Sequence, residues 1–368
     1  MIRFLTAGES HGKELVGILE GIPANMDIDL DFINNELKRR QKGYGRSERM
    51  SMEKDDMVIL SGINKGKTTG NPISFKIKNR GYLEVLGKIN RPRPGHGDLS
   101  GAIKYNQKDD VRNVLERASA RETAARVGVG SICKVLLKNL DIEIYSHVIQ
   151  IGGIESSKSI YNKGNIEDIK NADHSIIRVV DSIAEEKIIK KIRKTKEKGD
   201  TLGGTIELIG VNIPVGLGSY VSWDRRLDGK IGQSMMSIPG IKAVEIGNGL
   251  ESGKSYGSEI HDEIFYEKNY FRKTNNAGGI EAGVSNGEDI IVRCTMKPIP
   301  TLKKPLKSID MNTKKTSLAQ VERSDVLAVP SASIVAENML AYILAEEIML
   351  KFGGDSIEEL KKNYKLSI

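Results

Sequence analysis

One long run of the chain, residues 113–140, restricts the fold more than any other feature. Apolar residues recur in it at helical spacing, at positions 114, 115, 118, 124, 125, 127, 132, 135 and 136. Glycines at 128 and 130 have no side chain to hold a neighbouring element away from that helix. We therefore predict one long helix over residues 113–140, closely packed against another element.

The remaining elements follow from shorter patterns of the same kind. Alternating or continuous apolar residues predict strands at 2–7, 15–21, 58–62, 73–78, 142–151, 204–213, 242–246 and 289–296. Helical spacing predicts helices at 29–41, capped by Asp29, and at 182–198, 225–236 and 332–352. Residues 42–52 form a predicted loop, residues 91–101 are too rich in proline and glycine for regular structure, and the polar residues 155–172 are a predicted surface insertion.

Two strands resemble each other and suggest an internal duplication. The sequence VGILEGIP at residues 16–23 is similar to GTIE at residues 204–207 continuing to Gly210 and Pro214. No proline- or serine-rich linker separates the two halves. We therefore expect residues 1–368 to form a single domain.

The composition indicates a soluble, cytoplasmic protein without a metal site. Of the residues, 39% are hydrophobic and 29% charged, and no run approaches the roughly 20 apolar residues that span a membrane. The first residues lack a signal-peptide pattern. Cys133 and Cys294 stand in apolar surroundings, as buried thiols do in a reducing compartment, and the five histidines lack the spacing of zinc ligands.

The net charge of +7 favours an anionic partner, which could be nucleic acid, an acidic membrane or a phosphorylated small molecule. The arginines cluster in glycine-rich segments, where planar guanidinium groups can hold phosphate or carboxylate. Aromatic residues make up only 5% of the chain, so an RNA-binding surface would have little with which to stack bases.

Several short segments combine glycine with arginine or with a proton carrier. They are GESHG at 8–12, RRQKGYGRSERM at 39–50, RPRPGHGD at 91–98, ERASARETAARVGVG at 116–130, NNAGGIEAGVSNG at 275–287, KPIPT at 297–301 and RSD at 323–325. Each alone is a weak signal, since a lone histidine in a turn is usually structural. The combination of these segments and their order along the chain are a stronger signal than any one segment.

In that order and spacing, the segments resemble those of the chorismate synthase family over nearly the whole chain. The resemblance implies an α+β fold, a β-α-β sandwich of antiparallel sheets layered with helices, assembled as a homotetramer. It implies a lyase that converts 5-enolpyruvylshikimate 3-phosphate into chorismate and phosphate by 1,4-anti elimination, at the last common step of the shikimate pathway. The reaction requires reduced FMN but has no net redox change. The cofactor carries the hard chemistry, and the protein positions it.

The resemblance also assigns roles to residues of this sequence. His96 is the implied acid for phosphate departure, His11 would face the flavin N-1 and O-2 edge, and Asp325 would act at the flavin N-5 side. The implied FMN contacts are Arg117, Ala118, Ser119, Pro239, Gly240, Ala282, Lys297, Pro298, Ile299, Pro300, Thr301 and Arg323. The implied substrate contacts are Ser10, Arg40, Arg46, Arg49, Arg93, Arg121 and Arg323, and Arg40 and Arg46 are also associated with NADP.

Some features depart from the family or stay open. Val326, Leu327 and Ser331 stand where the family usually has a Pro-Cys pair and an arginine, and Ala282 stands where glycine is common. No added dinucleotide motif is visible, so we expect NADPH to act only indirectly, with flavin reduced externally. His147, His174 and His261 match nothing and are predicted to be structural. The alternative functions are an FMN-dependent oxidoreductase and a basic RNA-binding module. We expect no membrane partner and no metal ion.

Overall fold

The computed structural model describes residues 1–45, 54–84, 87–162, 164–322 and 325–367. Its first sheet has four antiparallel strands: β1 (Arg3–Ala7), β2 (Glu14–Glu20), β3 (Met57–Ser61) and β4 (Ile73–Lys78), in the order β1-β2-β4-β3. The second contains β5 (Glu143–Ile151), β6 (Gly204–Val211), β7 (Ile241–Ile246) and β8 (Ile290–Met296). Its order is β7-β8-β6-β5, with the short strand Ile154–Glu155 beyond β5.

The longer helices lie between and beside these sheets. They are α1 (Leu30–Gln41), α2 (Asp98–Lys104), α3 (Arg112–Ala118), α4 (Thr123–Lys138), α5 (Ser182–Glu197), α6 (Leu227–Met236), α7 (Val329–Phe352) and α8 (Ile357–Ser367). Helix α4 packs on β2 of the first sheet, α7 packs on β5 of the second, and α4 and α7 pack on each other. The result is the predicted layering of sheet, helices and sheet.

Shorter elements occupy the connections. Four two-stranded hairpins pair Ile63–Asn64 with Lys67–Thr68, Ile264–Tyr266 with Tyr270–Arg272, Ile280–Glu281 with Val284–Ser285, and Lys307–Ile309 with Thr316–Leu318. Short α-helices lie at Ile166–Lys170, Gly249–Ser252 and Gly257–Ile260. Short 3-10 helices lie at Ala120–Glu122, Asn171–His174 and Trp223–Arg225.

The two sheets repeat one topology. Numbered along its own half of the chain, and leaving aside the short strand Ile154–Glu155, each sheet has the strand order 1-2-4-3. The next α-helix after the second strand is α1 or α6, and the long helix that packs between the sheets, α4 or α7, comes later in the chain than the fourth strand. The pair of strands that looked alike in the sequence, β2 and β6, takes the same place in the two sheets. This topology agrees with the duplication suggested by the sequence.

Glycines allow the central helices to touch. A Cβ built on Gly130 of α4 would lie 2.3 Å from the carbonyl oxygen of Asn338 in α7, and one on Gly128 would lie 2.6 Å from Met57 Cε of β3. Side chains at these positions would therefore push apart the layers of the sandwich. The predicted close packing at glycines 128 and 130 is confirmed.

Three parts of the sequence-based prediction were wrong. The predicted helix over 113–140 is broken at Ser119, whose backbone is extended and whose hydroxyl accepts a hydrogen bond from Arg121 N. Residues 98–101, predicted to be irregular, begin helix α2. Helix α8 was not predicted. Asp29 caps α1 as expected, accepting from Phe32 N at 3.0 Å.

Membrane-spanning helices and metal-binding clusters are both absent from the described residues. No helix among them is both long enough and apolar enough to cross a membrane. No group of three or more histidine, cysteine, aspartate or glutamate side chains in the described ranges is placed to hold a metal ion.

Candidate active site

The GESHG turn connects β1 to β2 and is held by one asparagine. Asn79, just after β4, donates from Nδ2 to the carbonyl oxygens of Glu9 (3.0 Å) and Gly12 (2.8 Å). Its main-chain N donates to Lys13 O at 3.0 Å. The turn needs glycine at its start, because Gly8 has φ +111° and a Cβ there would lie 2.5 Å from Glu14 O.

His11, inside this turn, is paired with a buried carboxylate. Its Nδ1 lies 2.9 Å from Glu116 Oε1 and 3.1 Å from Oε2, and its main-chain N donates to Oε2 at 2.7 Å. The carbonyl oxygen of Glu116 also accepts from Ser10 N at 3.1 Å. Burial alone would raise the pKa of Glu116, but the hydrogen bonds and charge of His11 lower it overall, so the carboxylate stays ionised.

A second histidine–carboxylate pair lies in the RPRPGHGD loop. Asp98, fully buried at the start of α2, has its Oδ1 2.6 Å from His96 Nδ1. Asp98 also accepts from Arg93 N (3.0 Å), Nε (2.8 Å) and Nη2 (3.1 Å). Burial would raise the pKa of Asp98, but hydrogen bonds from His96 and Arg93 hold it well below its usual range.

Contacts join this loop to the late KPIPT segment. Arg93 Nη1 donates to Thr301 Oγ1 at 2.8 Å, and Lys297 Nζ donates to Gly95 O. Lys297 N donates to Gly240 O at 2.9 Å, which places residues 239–240 beside the same segment. A Cβ on Gly95 would lie 3.4 Å from Pro300 Cβ. The RPRPGHGD loop therefore lies against the predicted FMN residues 297–301 and near 239–240.

The break at Ser119 joins the two histidine loops. Ser119 Oγ donates to Ser10 Oγ at 3.2 Å, and a Cβ on Gly97 would lie 3.8 Å from Ala118 Cβ. Arg117 donates to the carbonyl oxygens of Gly8 (3.1 Å) and Thr6 (2.9 Å). Residues 117–119 thus stand between GESHG and RPRPGHGD, and five segments predicted to share one site are neighbours.

Two of the predicted substrate arginines form a buried cluster behind the GESHG turn. Arg121 binds both oxygens of Asp55 at 2.7 Å and donates from Nε to Asn79 Oδ1 at 2.7 Å. Arg40 Nη1 lies 3.5 Å from Asp55 Oδ2, and its Nε donates to Thr123 Oγ1 at 3.0 Å. Among the described residues, the two guanidinium groups share the carboxylate of Asp55.

Other predicted residues are only partly located. Arg46, Arg49, Arg323 and Ser324 lie outside the described residues. Asp325 is half-buried and directly precedes Val326, whose N donates to Gly45 O at 2.9 Å. A few residues earlier, Glu322 Oε1 lies 3.6 Å from Nη2 of Arg112, whose Nη1 lies 3.6 Å from Glu116 Oε1. Glu322 thus lies near Arg112, on the side of the His11–Glu116 pair, and Val326 lies beside Gly45.

The unusual residues of that segment fill space. Leu327 is fully buried and Val326 nearly so, and Ser331 Oγ donates to Arg40 O at 2.8 Å. Ser331 is therefore bonded to the main chain of Arg40, and Val326 and Leu327 pack beside Gly45.

Ala282 lies in a different environment from the other predicted FMN residues. It occupies the turn of the hairpin Ile280–Glu281 and Val284–Ser285 with φ +49°, followed by Gly283 at +82°. Gly283 O accepts from Leu227 N at 2.9 Å, so this turn packs at the start of α6.

The histidines predicted to be structural lie apart. His147 and Glu207 are fully buried partners on adjacent strands, with His147 Nε2 2.9 Å from Glu207 Oε1. His174 and His261 line separate cavities of about 360 and 370 Å³.

The sequence reasoning missed five residues that organise the site: Asp55, Asn79, Asp98, Glu116 and Lys242. Asp98 and Glu116 were visible in the quoted segments, two residues after His96 and one before Arg117. Asn79 and Asp55 gave no signal, because only the folded chain brings them to Arg121. Lys242 matters through its charge, which together with burial lowers the pKa of Lys297.

Comparisons with known proteins identify the family of this chain. The family model described as chorismate synthase matches residues 2–349. A chorismate synthase of Alkaliphilus metalliredigens is 52% identical over 379 residues, covering 99% of both chains, and one of Thermoanaerobacter pseudethanolicus is 53% identical over 369 residues, covering 99% of this chain and 97% of the relative. A crystal structure of chorismate synthase superposes with a TM-score of 0.82 at 45% identity, covering 100% of this chain and 97% of the other.

The chain is thus an α+β enzyme with two histidine–carboxylate pairs and buried arginines at one site. It belongs to the chorismate synthase family, and the predicted fold class and lyase class are confirmed.

Proposed function

We propose that this enzyme converts 5-enolpyruvylshikimate 3-phosphate into chorismate and phosphate. In this 1,4-anti elimination the ring C–O bond to phosphate and a ring C–H bond break, a second ring double bond forms, and no net oxidation occurs. The observation that carries the proposal is the convergence of residues 8–12, 93–98, 117–119, 239–240 and 297–301, which gathers two histidines with cationic side chains.

The chemistry of the donor set fits an anionic, phosphorylated cofactor. Partial burial and the neighbouring charge of Lys242 lower the pKa of Lys297, so an anion beside Lys297 would relieve an existing repulsion. We propose that Lys297–Thr301, Pro239–Gly240 and Arg117–Ser119 hold FMN, with Ala282 and Arg323 completing the site. When bound, reduced FMN would supply electron density as phosphate leaves and take up the ring hydrogen.

The side chains of this chain would divide the remaining work. His96 would donate a proton at Nε2 to the departing phosphate, since its Nδ1 faces Asp98. His11 would hold a proton beside the cofactor, with Asp325 as a further proton carrier. Ser10 and Arg40, Arg46, Arg49, Arg93, Arg121 and Arg323 would provide the hydroxyl and the positive field that orient a substrate carrying a phosphate and two carboxylates.

The assembly and setting are also proposals. The outer face of the first sheet exposes Leu5, Ile18, Val58 and Leu60, an apolar surface consistent with subunit contacts in a homotetramer. Cys133 and Cys294 are buried free thiols, consistent with the cytoplasm. We propose a single domain over 1–368, with NADPH acting at most indirectly through external flavin reduction and without a nucleic-acid or membrane partner.

Anaerobic turnover tests the reaction. Enzyme, reduced FMN and 5-enolpyruvylshikimate 3-phosphate should release phosphate while the reduced flavin spectrum stays constant over many turnovers. Consumption of reduced flavin in proportion to product would instead indicate an FMN-dependent oxidoreductase. Tight RNA binding with no effect of flavin would favour the binding module.

A variant tests the acid. His96→Ala should slow phosphate release far more than it weakens binding of reduced FMN, because the imidazole acts in the elimination. Equal losses of both would remove His96 from that role.

A further inference from the structure

We propose that Glu116 and Asp98 are positioning residues that hold His11 and His96 with Nδ1–H donated to the carboxylate and Nε2 presented to the bound ligands. The inference rests on the proposed function, because it assigns a task in that reaction to two residues that do not touch its substrate.

Donor and acceptor chemistry fixes the tautomer. Both carboxylates are ionised, since hydrogen bonds from the histidines outweigh the effect of burial on the pKa of each. An ionised carboxylate only accepts, so a ring nitrogen 2.6 Å from Asp98 or 2.9 Å from Glu116 must carry a hydrogen. Arg93 Nη2 also lies 3.2 Å from His96 Nδ1, but a guanidinium could donate only to an Nδ1 without hydrogen, and such an Nδ1 would face the Asp98 carboxylate at 2.6 Å with no hydrogen between two acceptors, so the Asp98 bond prevails.

Each carboxylate is itself held on several sides. Glu116 contacts the ring and the main-chain N of His11. Arg112 lies between Glu116 and Glu322, with a guanidinium nitrogen 3.6 Å from each carboxylate. Asp98 is bonded to three nitrogens of Arg93 as well as to His96, and Lys297 reaches the neighbouring Gly95 O. Within the described ranges, these charged groups contact the two pairs or their loops. A carboxylate fixed in this way fixes the orientation of its imidazole, as in other histidine–carboxylate pairs.

A third pair in the same molecule shows what a purely structural arrangement looks like. His147 contacts Glu207 through Nε2, its Nδ1 is buried without a hydrogen-bond partner in the described part of the chain, and the side chain is 0% exposed. The side chains of His11 and His96 keep 15% and 14% exposure. Of these three pairs in the described part of the chain, the first two therefore keep part of the histidine side chain at the surface, whereas the third is enclosed.

The test compares three amide variants, Glu116→Gln, Asp98→Asn and the control Glu207→Gln. An amide can donate or accept, so it no longer selects one tautomer. We expect Glu116→Gln to lower kcat by at least about 100-fold with KM for the substrate and Kd for reduced FMN within about threefold of wild type. Asp98→Asn should lower kcat by at least about 100-fold with Kd for reduced FMN within about threefold, and it should also raise KM, because Asp98 holds Arg93 through three hydrogen bonds. Glu207→Gln should leave kcat per folded enzyme unchanged, because its pair lies outside the site.

Long-range ¹H–¹⁵N spectra of histidine-labelled full-length enzyme give a readout that does not depend on turnover. With five histidines, single His→Gln variants assign the signals. The wild type should show His11 and His96 with Nδ1 protonated, and the two amide variants should lose that pattern for the adjacent histidine alone.

Two results would overturn the positioning role: a wild-type spectrum in which neither Nδ1 carries hydrogen, or an altered tautomer in a variant that keeps kcat within threefold. Absence of turnover by the wild type would overturn the proposed reaction instead, while the spectra would still decide whether the carboxylates fix the rings.

Discussion

Replacing Gly130 by alanine should test whether the contact of α4 with α7 determines the stability of the sandwich. The new Cβ would lie 2.3 Å from Asn338 O and 2.5 Å from Asn338 Cβ. Rotation of the Asn338 side chain moves neither atom, so only a shift of the backbone can relieve the clash. The helices would have to separate by about 1 Å to restore ordinary contact. Overpacking of this kind costs about 1–3 kcal/mol, whereas alanine gains up to about 1 kcal/mol over glycine inside a helix.

We therefore expect Gly130→Ala to lower the free energy of unfolding by about 2 kcal/mol. Gly232, inside α6, is the matched control, because a Cβ there meets nothing within 4 Å. Gly232→Ala should raise the free energy of unfolding by about 0.5–1 kcal/mol through helix propensity alone. Urea unfolding at equal protein concentration measures both. Two variants that agree within about 0.5 kcal/mol would refute the close crossing.

Three further predictions concern charge and backbone. Asp181 caps α5 and accepts hydrogen bonds from Ser157, which lower the pKa of Asp181 to about 2 although burial would raise it. The ionised side chain therefore stabilises the folded protein by about 2 kcal/mol above about pH 5, and this contribution is lost as the pH falls from about 4 to 2. Asp181→Asn should remove that acid dependence from unfolding curves measured across this pH range. Lys297→Met should weaken binding of reduced FMN about 10- to 100-fold but leave riboflavin, which lacks the phosphate, unaffected in anaerobic titrations; equal losses would place the lysine elsewhere. Ala282→Gly should raise the unfolding free energy by up to about 1 kcal/mol, because φ +49° strains an alanine; a loss of stability would contradict this.

Much of the fold was predictable because local pattern and tertiary burial agree. The strands β1, β2 and β4 and the capped helix α1 appear where alternation, helical spacing and Asp29 predicted them. Helix α8 was missed because its residues are mostly polar or charged, and its few apolar residues form only a short stripe.

The site was predictable by segment but not by contact. The segments around His11 and His96 were recognised from glycine, arginine and histidine in one order. Their partners Glu116 and Asp98 could not be singled out, because a carboxylate in a charged sequence becomes a partner only when folding buries it. The same holds for Asp55, which lies 66 positions from Arg121 along the chain.

The break at Ser119 has a consequence for how the first turn of the site is held. In an uninterrupted helix the carbonyl oxygen of Glu116 would accept from the amide of residue 120. Here it accepts instead from Ser10 N at 3.1 Å. The GESHG turn and a continuous helix therefore compete for one oxygen atom, so a sequence change that straightened residues 113–140 would remove one of the bonds of this loop without altering any residue of it, and would leave the loop that carries His11 to the bonds from Asn79.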